Sequence, residues 1–434
     1  MLQTICKIVF EQVTPYNGKV RNSTFSVNFT NEIEIKSGWA FMTDVCTIKI
    51  PRKLYFTGTK GEYFSLDERD VYANNPSTEN GNNIPVFMRG DKVSVYLGYV
   101  YPSVNNQGFN KELNLEFDGY ITKVNPKTPV ELYCEDSMWL LKQIHAPNKS
   151  YSGKTYDCGK IIKEMVGDKL PSGFIIRDSA QTKFGGEFIT SNQTVAQALQ
   201  ALKKDAYIYP YIRRITNKDG TYRHEIRVSS VVYYPEDLRD IVGNSYDSGA
   251  SVSATNLNKE RFRNWIFEFQ NNIIHDDLVY SRKDDVNIRV EAKSYYEVVE
   301  GGKTKLKQIT TTLPVNAPSD SEKRQLVVYG INTIDKLKSF AQLNLNRVIY
   351  EGYKGSITVF GIPSVRHGDL ITIIDKKFPE RNGAYLCKEV EKKFGLNGFR
   401  QEITLDMKVY NLDSSGNYVD LELITDTYAR KGGL

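Results

Sequence analysis

Gly90-Asp91-Lys92-Val93-Ser94-Val95 recurs in kind as Gly368-Asp369-Leu370-Ile371-Thr372-Ile373. Each copy is followed by a second glycine turn and a Tyr-bearing run. The first has Asp118-Gly119-Tyr120-Ile121-Thr122-Lys123-Val124, the second Asn382-Gly383-Ala384-Tyr385-Leu386-Cys387-Lys388-Glu389-Val390. Each is preceded by a strand-like stretch that ends near a proline. These are Cys46-Thr47-Ile48-Lys49-Ile50-Pro51 and Ser356-Ile357-Thr358-Val359-Phe360-Gly361-Ile362-Pro363. Gly–Asp suits a tight turn, because Gly accepts φ > 0 and Asp bonds nearby backbone. The alternating run after it reads as a half-buried strand, and the next turn returns a strand that can pair with it. The first copy has longer spacing, with an insertion around 102–111. Two such copies predict two similar small antiparallel β-barrels.

Outward from the first copy, Lys7-Ile8-Val9-Phe10, Leu115-Glu116-Phe117 and the runs above are short apolar or period-2 segments. The polar Gly/Asn-rich stretches 73–83 and 102–111 separate them as exposed loops. The middle of the chain changes character. Asp157 can cap a helix whose Ile161, Ile162, Met165 and Val166 share one face, with Gly167 ending it. Thr194 and Gln197 have capping-box spacing before Val195, Ala198, Leu199 and Leu202. Strand-like segments 207–215 and 222–228 flank the hairpin signal Asn217-Lys218-Asp219-Gly220. Beyond the connector 245–253, strands resume at 264–270, 286–298 and 306–312, the last two joined by the turn Glu300-Gly301-Gly302-Lys303. A helix follows at about 333–350, with Leu337, Ala341, Leu345 and Val348 as its apolar stripe, and strands run on from Gly355 to about Val409.

The fold class is therefore mainly β with α+β inserts: two small antiparallel β-barrels plus a middle α+β module. The division is 1–137 for the first barrel with long loop insertions and 138–250 for the α+β module. Residues 251–410 form the second barrel with its inserted helix, and 411–434 a C-terminal arm.

The chain has 434 residues, ample for a large core without a metal or disulfide staple. Charged residues at 25% and hydrophobic residues at 40% exclude a disordered, collagen-like or multi-span membrane chain. Tyr 28 and Phe 20 against Met 6 tilt it toward strands. A formal charge of +5 over this length gives no dedicated nucleic-acid face, and the run 259–263 (KERFR) reads as a solvated turn. Cys6, Cys46, Cys134, Cys158 and Cys387 are scattered and odd in number, without CxxC spacing, so reduced thiols are expected. Met1-Leu2-Gln3-Thr4-Ile5-Cys6-Lys7 lacks the basic and apolar regions of a signal peptide, and no apolar stretch approaches a bilayer span.

The duplicated pattern resembles the baseplate or tail-hub proteins of bacteriophages, the late control D-like family, related to the hub part of contractile injection-system spikes. The residues that carry the resemblance are 90–99, 117–124 and Leu132-Tyr133-Cys134-Glu135-Asp136-Ser137-Met138-Trp139-Leu140-Leu141, the last similar to that family's exit from its first barrel. Helix 333–350 followed by 355–363, 366–375 and 383–406 resembles the closing half of the second barrel. The loop 65–87, the middle module and the tail after Asp406 match nothing in that pattern. The resemblance implies a homotrimer whose six barrels form a pseudo-sixfold ring. It implies a hexameric tail tube or distal tail protein on one side and a trimeric spike or fibre on the other. It also implies transient passage of DNA through the lumen, a place in the virion tail after assembly in the host bacterial cytoplasm, and no stable membrane insertion.

Catalytic and metal signatures are missing. His145, His224, His275 and His367 form no HExxH or HxH pattern, and there is no GxSxG, GxxxxGK[ST] or GxGxxG. His275 with Asp276 and Asp277 reads as a solvated turn, and His367 as a turn residue. Glu135 and Asp136 are adjacent on a strand, so they point to opposite faces and do not cooperate. We expect no enzyme activity and no catalytic, cofactor-binding or metal residues. Trp39, Trp139, Trp265 and most Tyr read as core and strand surface. Tyr207, Tyr209 and Tyr211 share one strand face opposite Ile208 and Pro210, and can instead be an exposed stripe for sugar or partner binding. The alternative functions are a tail-associated cell-wall-degrading enzyme or a receptor-binding tail protein. Neither requires duplication.

Overall fold

The computed structural model describes residues 3–18, 20–21, 23–52, 55–57, 63–65, 72–73, 84–102, 108–152, 157–177, 187–206, 209–216, 222–229, 264–282, 287–301, 303–315, 320–329, 331–348, 350–412 and 418–420. The chain packs as two compact units that are not consecutive in sequence. Unit 1 gathers Met1–Trp139, Thr358–Val365 and Glu389–Ile403; unit 2 gathers Leu140–Ile357, Arg366–Lys388 and Thr404–Leu434.

In chain order the first strands are β1 (Gln3–Glu11), β2 (Thr24–Val27), β3 (Glu32–Gly38) and β4 (Val45–Ile50). Two short hairpins follow, β5 (Tyr55–Thr57) with β6 (Tyr63–Ser65), and β7 (Tyr72–Ala73) with β8 (Ile84–Pro85). Then come β9 (Lys92–Pro102), β10 (Phe109–Asn125) and β11 (Val130–Asp136). They are hydrogen-bonded in the order β2-β1-β9-β10-β11-β4-β3. β10 lends its first part to β9 and its last part to β11, with a bulge between Leu115 and Phe117. Alternation decides which face is inside. Val93, Val95, Leu97 and Tyr99 of β9 are buried, as are Ile8 and Phe10 of β1 and Cys46, Ile48 and Ile50 of β4. Phe10, Phe25 and Phe87 form one ring cluster in this core, Phe10 stacked on Phe25 and meeting Phe87 edge-on.

The middle of the chain holds α1 (Met138–Gln143), β12 (Lys149–Ser152), α2 (Cys158–Val166), β13 (Phe174–Arg177), β14 (Glu187–Thr190), α3 (Val195–Ala206), β15 (Tyr209–Thr216) and β16 (Tyr222–Ser229). Asp157 caps α2 by accepting from Lys160 N at 2.7 Å, and Gly167 closes it at φ +55°. The capping box at α3 forms: Gln197 N donates to Thr194 Oγ1 at 3.3 Å, and Thr194 N to Gln197 Oε1 at 2.8 Å. β15 and β16 are the expected antiparallel hairpin, and β13 adds to β16 in parallel. The connector 245–253 and the run 259–263 lie outside the described residues.

The last part carries β17 (Asn264–Glu268), β18 (Ile273–Asp276), β19 (Val279–Ser281), β20 (Ile288–Glu300), β21 (Lys303–Leu313) and β22 (Glu322–Tyr329). These are followed by α4 (Ile334–Val348), β23 (Gly352–Lys354), β24 (Ser356–Phe360), β25 (Leu370–Ile374), β26 (Gly383–Gly395), β27 (Gly398–Leu412) and β28 (Tyr418–Asp420). α4 is buried through Leu337, Phe340, Ala341 and Leu345 against Val290, Ala292 and Val328, making a small core of its own. β22 was not expected from the sequence, although Leu326-Val327-Val328-Tyr329 is a short β-branched and aromatic run. Neither were the parallel pairings β17–β25 and β20–β22, which depart from an all-antiparallel scheme. Of the C-terminal arm, β28 pairs back onto β27.

The two copies share one connectivity. In the first, strand order is β9-β10-β11-β4; in the second it is β25-β26-β27-β24. In both, the strand after the Gly-Asp turn pairs with the next strand, that with the third, and the third returns to the strand preceding the turn.

Candidate functional site

The duplication extends to individual hydrogen bonds. In the first turn, Gly90 sits at φ +94° and donates to Ile121 O at 2.7 Å, while Ile121 N donates to Asp91 O at 2.8 Å. Asp91 N reaches Met88 O at 3.1 Å, and Met88 N reaches Asp91 Oδ2 at 2.8 Å. In the second turn, Gly368 sits at φ +80° and donates to Cys387 O at 2.7 Å, while Cys387 N donates to Asp369 O at 2.8 Å. Asp369 N reaches Arg366 O at 3.0 Å, and Arg366 N reaches Asp369 Oδ2 at 2.8 Å. Each aspartate thus closes its own turn with its carboxylate while its backbone opens the strand ladder.

This equivalence corrects the sequence alignment of the copies. Ile121 matches Cys387, and the ladder agrees: Lys92 faces Tyr120 as Leu370 faces Leu386. Gly119 and Gly383 are therefore not equivalent, nor are Tyr120 and Tyr385. Sequence similarity had matched the glycines, but the backbone matches the hydrogen bonds.

Both aspartates are buried, each 1% exposed, and each is satisfied. Asp91 forms a two-pronged pair with Arg21, Nη1 to Oδ1 and Nη2 to Oδ2 both at 3.1 Å. Arg21 also donates to Thr14 O at 3.0 Å, Pro85 O at 2.7 Å and Val86 O at 2.9 Å, which ties two segments, the β1–β2 loop and residues 85–86, to the turn. Asp369 instead accepts from Trp265 Nε1 at 3.2 Å. Arg213 of β15 donates to His367 O in the same turn. Burial pushes the Arg213 pKa down, and the Asp369 charge works against that shift. Such carboxylates are held as acceptors and are not offered to a substrate.

Within unit 1 the late segments are stitched to the early sheet. Tyr99 OH donates to Phe399 O at 2.5 Å and accepts from Gly361 N at 3.1 Å. Gln401 Nε2 donates to Phe360 O at 2.9 Å and Pro363 O at 2.5 Å, while its Oε1 accepts from Val365 N at 3.2 Å. Beneath them Lys392 pairs with Glu116, and Ser364 Oγ bridges the two, 2.7 Å from Glu116 Oε2 and 3.0 Å from Lys392 Nζ. The ion pair is almost fully buried, with side chains 4% and 0% exposed. Glu116 lies at the β10 bulge, which points its carboxylate inward where alternation alone would not.

No protein-family model and no curated protein sequence matches this chain. Solved structures do. A tail protein from Neisseria meningitidis superposes with TM-score 0.50 at 14% identity, covering 93% of this chain and 96% of that one. The chain shares the fold of that tail protein. The 43 kDa tail protein of prophage MuSo2 from Shewanella oneidensis superposes with TM-score 0.49 at 10% identity, over 94% of this chain and 98% of that one. A type VI secretion component from E. coli, described as similar to phage T4 tail proteins, gives TM-score 0.42 at 10% identity, over 93% and 78%.

On the tail-protein fold, the residues considered for chemistry take structural places. His367 is a buried turn residue with its ring edge-on to Tyr211 at 5.7 Å. His224 stacks on Phe174 at 4.7 Å, and His145 lies in a bridge to Thr194. His275 faces Asp277 at 3.5 Å, both exposed. Among the described residues no three His, Cys, Asp or Glu side chains cluster as metal ligands, and no helix is long and apolar enough to cross a membrane. Asp136 is not alone: burial and the nearby Asp44 carboxylate push its pKa well up. Asp44 comes from the turn before β4, so sequence adjacency pointed to Glu135 and missed the neighbour that matters. The exposed tyrosine stripe is corrected at Tyr211, which is only 4% exposed and packs inward. Tyr207 lies outside the described residues. Trp39 is buried, Trp139 stacks on Tyr120, and Trp265 serves Asp369. All five cysteines are buried and outside any disulfide, and burial raises the Cys6 thiol to about 11.

Proposed function

We propose that this chain is a structural hub protein in the tail of a phage or phage-like injection particle. Three copies would form a ring of six barrel units, built from residues 1–137 and 251–410. The ring would join a hexameric tail tube or distal tail protein to a trimeric spike or fibre, with the genome passing through its lumen. The protein would act in the assembled virion tail and would be mechanical, without catalysis.

One observation carries this reading: two four-strand units in one chain share strand order, ladder register and a buried Gly-Asp turn. A ring of six quasi-equivalent positions made from three chains needs two matched units per chain. The tail-protein fold supports the same setting. The saturated carboxylates of the turns support a structural role over an acid/base one. The test is native mass spectrometry of the recombinant chain, then electron cryomicroscopy of purified particles. A mass three times that of the 49.5 kDa chain and density on the tail axis are expected. A persistent monomer, or density off the axis, overturns the reading.

A further inference from the structure

The sheet β21-β20-β22 is covered on one face by α4, and among the described residues both of its outer edges are unpaired. Unpaired edges are pairing templates, and proteins normally blunt them with charge, proline or a bulge. Here the charges sit only at the ends. On β21 they are Lys303, Lys305 and Lys307; on β22 they are Glu322, Lys323 and Arg324. Between them each edge has five uncharged residues, 308–312 (QITTT) on β21 and 325–329 (QLVVY) on β22.

The registers place these two windows at the same height. Glu291 to Tyr295 of β20 face Thr312 to Gln308 on one side and Gln325 to Tyr329 on the other. β21 runs opposite to β20 and β22 runs with it, so the β22 edge of one copy would meet the β21 edge of the next in antiparallel sense. Inward side chains Ile309, Leu326 and Val328 already pack on α4, which fixes the faces such a joint must keep. Thr310 and Val327 alternate with the residues packed on α4, so they stand on the opposite face of the sheet, and both are exposed.

We propose that these edges form the joint between neighbouring copies of this chain, the β21 window of one pairing with the β22 window of the next. The interface is heterologous, so its rotation must close, and in the trimer proposed above it closes at three. This joint rests on that trimer reading and adds the surface that makes it.

The test uses the full chain with Thr310→Cys combined with Val327→Cys or Gln325→Cys. In one copy these positions flank β20, about 9–10 Å apart, beyond disulfide reach. A bond can form only between copies, and the native cysteines are buried. Covalent dimers and trimers on a non-reducing gel are expected from a double variant and not from either single variant. A control, Leu306→Cys with Val327→Cys, lies off the shared window and should stay uncrosslinked. In parallel, Thr310→Asp with Val327→Asp should abolish the trimer mass while the chain keeps a cooperative thermal transition, and Thr310→Asp with Val327→Lys should restore the trimer. A trimer that neither crosslinks nor responds to these charges overturns the joint and leaves the hub reading standing. A wild-type chain that stays monomeric overturns both.

Discussion

Lys392 and Glu116 form a buried ion pair within unit 1. Removing one member of a buried ion pair strands the other, at a cost of about 3–5 kcal/mol. Lys392→Met is therefore expected to lower the urea midpoint sharply, and Lys392→Met with Glu116→Leu to recover most of the loss. A single variant that unfolds like the wild type would show that the pair is solvated. Asp136 carries the opposite signature. Its pKa is raised in the folded protein by burial and by Asp44. The folded state then holds a proton that the unfolded state has released. Stability falls as pH climbs from the ordinary carboxylate range toward the raised value. Asp136→Asn removes that penalty while its side-chain oxygen can still accept from Met138 N, as Asp136 Oδ1 does at 3.0 Å. A larger gain in melting temperature at pH 8 than at pH 5 is expected.

The Gly-Asp turns are the elements where sequence and structure meet most closely. Gly90 and Gly368 both have φ in the left-handed region, so alanine at either should cost about 1–2 kcal/mol. At Gly90 the added Cβ would also lie 2.8 Å from Thr14 Oγ1, which adds a steric cost to the backbone one. Thermal melts of both variants would check this, and an unchanged midpoint would count against the turns as anchor points. The repeat, the caps at Asp157 and Thr194 and the hairpin β20–β21 were legible because each rests on chemistry within a few residues. The register between copies was not. Gly119 and Gly383 look alike in sequence, yet the bond from Gly90 pairs Ile121 with Cys387, and only the folded backbone carries that match.

For the whole molecule, the strands that complete unit 1 come from more than two hundred residues downstream. Phe394 and Phe399 sit in the same core as Ile8 and Val95. β26 adds to β3 through seven residue pairs from Glu389 to Gly395. A fragment of residues 1–139 lacks these and should show no cooperative thermal transition by near-ultraviolet circular dichroism. Co-expression with residues 358–403 tests the same point by complementation. A sharp melt of the fragment alone would mean that the early sheet folds without the C-terminal strands.

The amino-acid order determined by itself that this is a mainly β protein with a repeated turn, two capped helices, free thiols and no local catalytic or metal signature. Those features depend on alternation, φ preference and short-range bonds, which act over a few residues. Only the tertiary structure decided which strands are parallel, that Tyr211 faces inward, that Asp44 is the partner of Asp136, and that Glu116 pairs with Lys392. Each of those facts joins residues distant in sequence, and closing such loops is governed by the packing of the whole core.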